Sequence, residues 1–172
     1  MGISRRRLCS TGAALAIGGL AGCFGDSEAD GGESTDGGGS DEWTWSGSLP
    51  IERVVQHHDP DCGCCEAYVD YLTDHGFDVE VVETDDPEGV KRELSVPEDA
   101  WSCHTIEFGD YLVEGHVPLE AVEELFAEEP DVLGVAAPGM PQHSPGMGPP
   151  GDEPLSVAAF EESGAVFEYV EV

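Results

Sequence analysis

The chain has 172 residues, with 37 acidic side chains against 6 Lys and Arg, a formal net charge of −31, 23 Gly and 12 Pro. A charge of that sign excludes nucleic acid and bare anionic lipid as partners, because phosphates are repelled and no basic stripe exists to release counterions. A hydrophobic fraction of 40% still suffices for one domain core, so the acidity describes a surface that stays soluble in high salt, as in a halophile.

At the N-terminus, Ser4-Arg5-Arg6-Arg7-Leu8 precedes the apolar run Ala13 to Ala21, which closes on Leu20-Ala21-Gly22-Cys23. A charged start, a short apolar stretch and a small-residue cleavage site make residues 1–22 a secretory signal. The paired arginines resemble the twin-arginine export signal, and Leu-Ala-Gly-Cys resembles a lipobox, in which Cys23 carries lipid after cleavage. A membrane span needs ~20 apolar residues, and Leu8 to Phe24 is shorter and broken by glycines and Ser10. The expected product is exported and anchored to the outer face of the cell membrane through Cys23 alone. Residues 23–48 form an acidic Gly/Ser tether that buries too little to fold. Trp43-Thr44-Trp45 interrupts it, and the two indoles are expected to pack on the domain rather than at the membrane interface.

Residues 49–172 read as one α/β domain. Ile51 to Val55 is a short strand, and Asp59-Pro60-Asp61 stops it and offers a helix cap. Cys65, Tyr68, Val69 and Leu72 then share one helical face, and Gly76 ends the helix. Phe77, Val79 and Val81 alternate as a second strand. Asp86-Pro87 is an N-cap followed by proline at the first helical position, with Val90 and Leu94 on the second helix. Thr105 to Phe108 and Tyr111 to Val113 flank Gly109-Asp110, a pair suited to a tight hairpin. Pro118 opens a third helix with Leu119, Val122, Leu125 and Phe126 as its buried stripe. Gly134 to Met147 is a Pro/Gly/Met loop, too rich in breakers for regular structure. Leu155 to Phe160 and Ala165 to Val170 make a final hairpin around Ser163-Gly164. The order β-α-β-α-β-β-α, with cysteines at the first strand-to-helix turn, resembles the thioredoxin/glutaredoxin fold; its first two strands should run parallel through a right-handed crossover.

Of the six cysteines, Cys9 leaves with the signal and Cys23 takes lipid, so Cys62, Cys64, Cys65 and Cys103 remain. Two structural disulfides would be natural in an oxidising compartment, but Cys62-Gly63-Cys64-Cys65 crowds three sulfurs into one turn, and adjacent cysteines pair only under strain. Cys62 and Cys65 have the Cys-x-x-Cys spacing of thiol exchange, and a helix N-terminus favours thiolate. Asp59, Asp61 and Glu66 oppose that effect and gather cations, so the local field favours metal capture. Cys64 is superfluous for exchange and useful to a soft metal.

The second cluster is Ser102-Cys103-His104-Thr105, ahead of the third strand. In a thioredoxin-like fold that connection faces the first helix, which brings Cys103, and with it His104, to the cysteine turn. Met140, His143 and Met147 in the loop and His116 before the third helix are further candidate donors, and His57 and His58 precede the turn. Thioether, imidazole and thiolate together suit copper, Cu(I) above all, whereas zinc rarely takes thioether. Packing is the alternative for the methionines and capping for His116; His75 closes a helix and has no assigned function.

Cys62-Gly63-Cys64-Cys65, Ser102-Cys103-His104-Thr105, Val113-Glu114-Gly115-His116-Val117-Pro118, and Pro138-Gly139-Met140-Pro141 with Ser144-Pro145-Gly146-Met147 together resemble the DUF411 family, which includes the CopG-type periplasmic copper-resistance proteins. The likeness runs from about Ile51 to Val172. It implies a thioredoxin-like domain that binds copper through Cys62, Cys64, Cys65, Cys103 and His104, acts in copper resistance and meets other copper-handling proteins. Three functions stay open on the residues: a Cu(I) sequestration or transfer module; an oxidoreductase, in which Cys62 and Cys65 exchange disulfides as catalytic thiols or a bound copper cluster cycles electrons; and a structural zinc or disulfide module. An oxyanion reductase is disfavoured, since only Arg53, Lys91 and Arg92 supply positive charge after residue 22.

Overall fold

The computed structural model describes residues 43–172. The export signal, the lipobox with Cys23 and most of the tether lie outside the described residues. Eleven elements follow one another: β1 Arg53–His58, α1 Gly63–Asp74, β2 Asp78–Glu83, α2 Pro87–Glu93, a 3-10 turn Glu98–Ala100, β3 Thr105–Phe108, β4 Tyr111–Glu114, α3 Leu119–Glu128, β5 Gly134–Ala136, β6 Ser156–Phe160 and β7 Val166–Glu171. The strands form one mixed sheet in the order β2-β1-β3-β4-β5-β6-β7. No helix among the described residues is long and apolar enough to cross a membrane.

Strand β1 runs parallel to β2 and antiparallel to β3, and β3 pairs antiparallel with β4. It begins and ends later than the expected Ile51 to Val55. Its inward positions are Val54, Gln56 and His58, each buried, so period-2 alternation continues in polar residues that a hydrophobic pattern does not register. The polar half of this strand lies beneath the cysteine turn, where Gln56 Nε2 donates to the Cys65 carbonyl at 2.9 Å.

Two other expectations are corrected. The Asp59-Pro60-Asp61 segment does not cap α1: Cys62 occupies the cap position with no side-chain bond, and Asp59 Oδ1 instead accepts from the Asp61 N–H at 2.8 Å to close a turn. Gly134 to Ala136, expected as the start of the loop, is strand β5, parallel to β4 and antiparallel to β6. A side chain at Gly134 would run into the Leu112 carbonyl, so the residue that reads as a breaker allows the strand to lie close to β4. Through β5 the C-terminal hairpin joins the main sheet.

The helices follow the sequence closely. Cys65, Tyr68, Tyr71 and Leu72 are the buried face of α1, and Gly76, at φ 93°, ends it. Asp86 Oδ1 caps α2 by accepting from Gly89 N–H at 2.9 Å, with Pro87 inside the first turn. Leu119, Val122 and Leu125 of α3 are fully buried beside Ile106, Phe108 and Val113 of the sheet. Trp43 is 6% exposed and its Nε1 donates to the Gly148 carbonyl at 2.9 Å, while Trp45 Nε1 donates to Glu123 Oε2 at 2.7 Å and its ring stacks on Phe77. Both indoles thus pack on the domain, as expected.

Candidate metal centre

The β1-to-α1 turn carries Cys62, Cys64 and Cys65, and the segment before β3 carries Cys103. The four sulfurs lie within 4.8 Å of one another. Cys62 and Cys65 are joined by a disulfide, with Cα atoms 5.3 Å apart, and Cys64 and Cys103 are free thiols. Cys64 Sγ sits 3.5 Å from Cys62 Sγ.

A second group shares one member with the first. Cys103 Sγ is 3.2 Å from His104 Nδ1 and 3.2 Å from His116 Nε2, and the donor atoms of this trio again lie within 4.8 Å of one another. The tautomer of His116 follows from its other nitrogen. A carbonyl only accepts, so Nδ1 donates its proton to Pro145 O at 2.7 Å, and the neutral ring presents the Nε2 lone pair to Cys103. His104 is fully buried, and its Nε2 has no hydrogen-bond partner. The nitrogen it turns to the thiol is Nδ1, and a buried imidazole so placed, with no carbonyl or carboxylate on either nitrogen, fits a metal ligand better than a packing residue.

Burial sets the electrostatics. It holds His104 well below the ordinary histidine range, helped by His116, Lys91 and His58, and it lowers His116 as well. Both rings are therefore kept in the neutral, ligating form. Burial pushes the Cys103 thiol up to about 12, with Cys64 the next contributor. The acids of the cysteine turn, expected to raise thiol pKa values, are not among the causes at Cys103. A cation that replaces the proton offsets this desolvation.

Around these candidate donors stands a shell in which sequence reading had named His58 alone as a donor. The Tyr68 ring packs tilted at 5.0 Å from His104 and edge-on at 5.3 Å from His116, and its hydroxyl donates to the Val117 carbonyl at 2.5 Å. Gln56 Nε2 also donates to His58 Nδ1 at 3.0 Å, which leaves His58 protonated at Nε2. Gly146 lies flat on α1: an added Cβ would come within 2.9 Å of Tyr68 N. Behind the histidines, Lys91 and Glu114 form a buried ion pair. The one available signal was that Lys91 is the only lysine in the chain.

Other candidate donors divide. His116 joins Cys103 and His104. The loop reaches the centre through Pro145 and Gly146, whereas Met140 is 46% exposed and Met147 follows in a turn whose N–H donates to Ser144 O. His143 lines a surface cavity of about 230 Å³ with Trp43, Asp152 and Glu153, and belongs to neither donor group. His57 Nε2 pairs with Glu107 at 2.7 Å, and His75 Nδ1 donates to Tyr71 O within its own helix end.

The family profile described as "Protein of unknown function, DUF411" matches residues 100–147. Two solved structures, described as "Copper resistance protein copG", Form 1 and Form 2, are each 37% identical over 70% of this chain, with a TM-score of 0.62. The match covers 96% of the first chain and 97% of the second. No curated protein matches.

Proposed function

This chain belongs to the DUF411 family of CopG-type copper-resistance proteins, and from that premise we propose that it sequesters or transfers Cu(I) as cargo outside the cell membrane. The observation that carries the reading is the sharing of Cys103 between a four-sulfur group and a two-imidazole group. Structural zinc takes four ligands in a closed tetrahedron. Six donors, Cys103 common to both groups among them, exceed that need, and thiolate with imidazole suits Cu(I). With the Cys62–Cys65 disulfide closed, Cys64, Cys103, His104 and His116 remain as donors; reduction adds the other two sulfurs.

The thioredoxin-like reading is supported by the order β2-β1-β3-β4, by a parallel β1–β2 pair joined through α1, and by cysteines at the β1-to-α1 turn. Export through the twin-arginine signal and anchoring at Cys23 would place the domain on the outer face of the membrane, next to other copper-handling proteins. The acidic surface then concentrates cations around the turn.

Anaerobic competition tests the reading. The fully reduced protein is expected to take Cu(I) from a chromophoric Cu(I) chelator and to keep it against excess zinc. Zinc bound more tightly than Cu(I), or no metal bound with all four thiols reduced, would sink it.

The disulfide favours one further reading. Cys62 and Cys65 would exchange with an external dithiol, taking up two electrons and two protons as the S–S bond opens. Cys62→Ser should abolish any disulfide reductase activity while only weakening copper binding; a variant that retained the activity would exclude this pair.

A further inference from the structure

The only lysine of an otherwise acidic chain is buried, at 3% exposure, against a carboxylate with none. Such placement is unusual for a residue whose chain is long, strongly hydrated and normally left in water. Lys91 Nζ, on α2, donates to Glu114 Oε1 at 2.5 Å and to Thr105 Oγ1 at 2.9 Å. The carboxylate of Glu114, at the end of β4, also accepts from the Ser102 N–H at 2.7 Å through Oε1 and from the Thr105 hydroxyl at 2.6 Å through Oε2.

Those last two bonds fall on either side of Cys103 and His104. One carboxylate therefore grips the ligand-bearing segment at both ends, and the backbone adds a bond from Gly115 N–H to His104 O at 2.9 Å. His116 lies two residues beyond Glu114 on the same strand end. The left-handed backbone of Gly115, at φ 75°, lets that end pass so close to Ser102 that a Cβ would strike its hydroxyl. A buried pair of this kind adds little net stability over an apolar pair of the same volume. Its geometric effect is specific: Glu114 fixes where Cys103 and His104 stand relative to His116, and Lys91 neutralises the carboxylate that does so.

We propose that Glu114, held by Lys91, is the positioning residue for the Cys103–His104–His116 half of the centre, acting through Ser102 and Thr105. It takes no ligand place. This inference rests on the copper reading for its consequence, but the clamp itself is a property of the metal-free protein. Supporting partners of metal ligands typically contribute about 10–100-fold to affinity.

The test compares three variants of the full chain with the unaltered protein. In the double variant Lys91→Met with Glu114→Leu the charge pair becomes apolar and Ser102 N–H and the Thr105 hydroxyl lose their acceptor. In Lys91→Met with Glu114→Gln the amide oxygen still accepts from Ser102. Thr105→Val removes one arm and keeps the ion pair. Amide exchange at Ser102 in the reduced, metal-free proteins reads the clamp without copper; it should accelerate at least about tenfold in the Leu double variant and stay near the unaltered rate in the Gln double variant.

With Cu(I) bound, the Leu variant should lose about 10–100-fold in affinity and its nitrogen scattering at the copper edge, while its sulfur scattering persists. The Gln variant should recover the affinity to within about threefold. Should the Leu variant fail to fold, Thr105→Val gives the same comparison with a loss of about 3–10-fold. Unchanged Ser102 exchange in the Leu double variant, or an unchanged nitrogen-to-sulfur ratio and affinity in that variant or, where it does not fold, in Thr105→Val, would overturn the proposal. If the unaltered protein binds no Cu(I), the copper reading fails, and Ser102 exchange alone still decides whether the clamp exists.

Discussion

The two halves of the centre are built in opposite ways. The cysteine half is local: Cys62, Cys64 and Cys65 sit in one turn, half-buried except for Cys65, and two of the three are tied to each other by a disulfide. The histidine half is assembled from the segment before β3, the end of β4 and the Pro/Gly loop, and its rings are buried. A turn supplies sulfur at little structural cost and can open or close it with a pair of electrons. Two distant segments supply nitrogen, and they meet through the support of Glu114, Tyr68 and the loop's Pro145.

The largest expected effect breaks the support of the assembled half. Lys91→Met alone leaves the Glu114 carboxylate buried without its counter-charge, and chemical denaturation should show a loss of about 3–5 kcal/mol. A loss under 1 kcal/mol would mean that the carboxylate finds water, or a proton, at no cost.

Next comes the atom common to both halves. Cys103→Ser removes one donor from each group at once, and competition with a Cu(I) chelator should show a drop of about a hundredfold, or ~2.7 kcal/mol. Cys64→Ser touches the turn alone and should cost less. Equal losses in the two variants would contradict the sharing of Cys103.

The loop that orients His116 gives a smaller handle. Gly146→Ala places a Cβ at φ 76° against the α1 backbone, so the loop must lift or strain by about 1–3 kcal/mol. The His116 ring resonances should shift in the metal-free protein while the cysteine turn stays unchanged. On the turn itself, Asp59→Ala removes one bond to the Asp61 N–H and should cost only about 0.5–1.5 kcal/mol, in keeping with a locally held half.

The same contrast explains what could be read from the chain. Helices α1 and α3 were legible because their apolar stripes are local, α2 because Asp86 caps it, and so was the β3–β4 hairpin with Gly109 at φ 68°; the cap expected of Asp59 to Asp61 was not, because that segment closes a turn of its own. Strand β5 was hidden because three residues beginning with Gly134 carry no pattern until β4 and β6 flank them. In β1, Gln56 and His58 occupy inward positions beside the cysteine turn, and their polarity concealed the second half of the strand. The cysteine turn announced itself by spacing. Cys103, His104 and His116 required the fold to bring them together; Glu114 lay within the motif Val113 to Pro118 without a role of its own, and Lys91 lay in no motif, so that only its being the lone lysine beside 37 acids hinted at a buried role.

X-ray absorption at the copper edge of the reduced, Cu(I)-loaded protein tests the central claim most directly. Copper held by both halves should show sulfur scattering together with an imidazole contribution that disappears in His116→Ala. A spectrum without copper–sulfur scattering would contradict the account, and one with sulfur alone that His116→Ala leaves unchanged would contradict the second half of it.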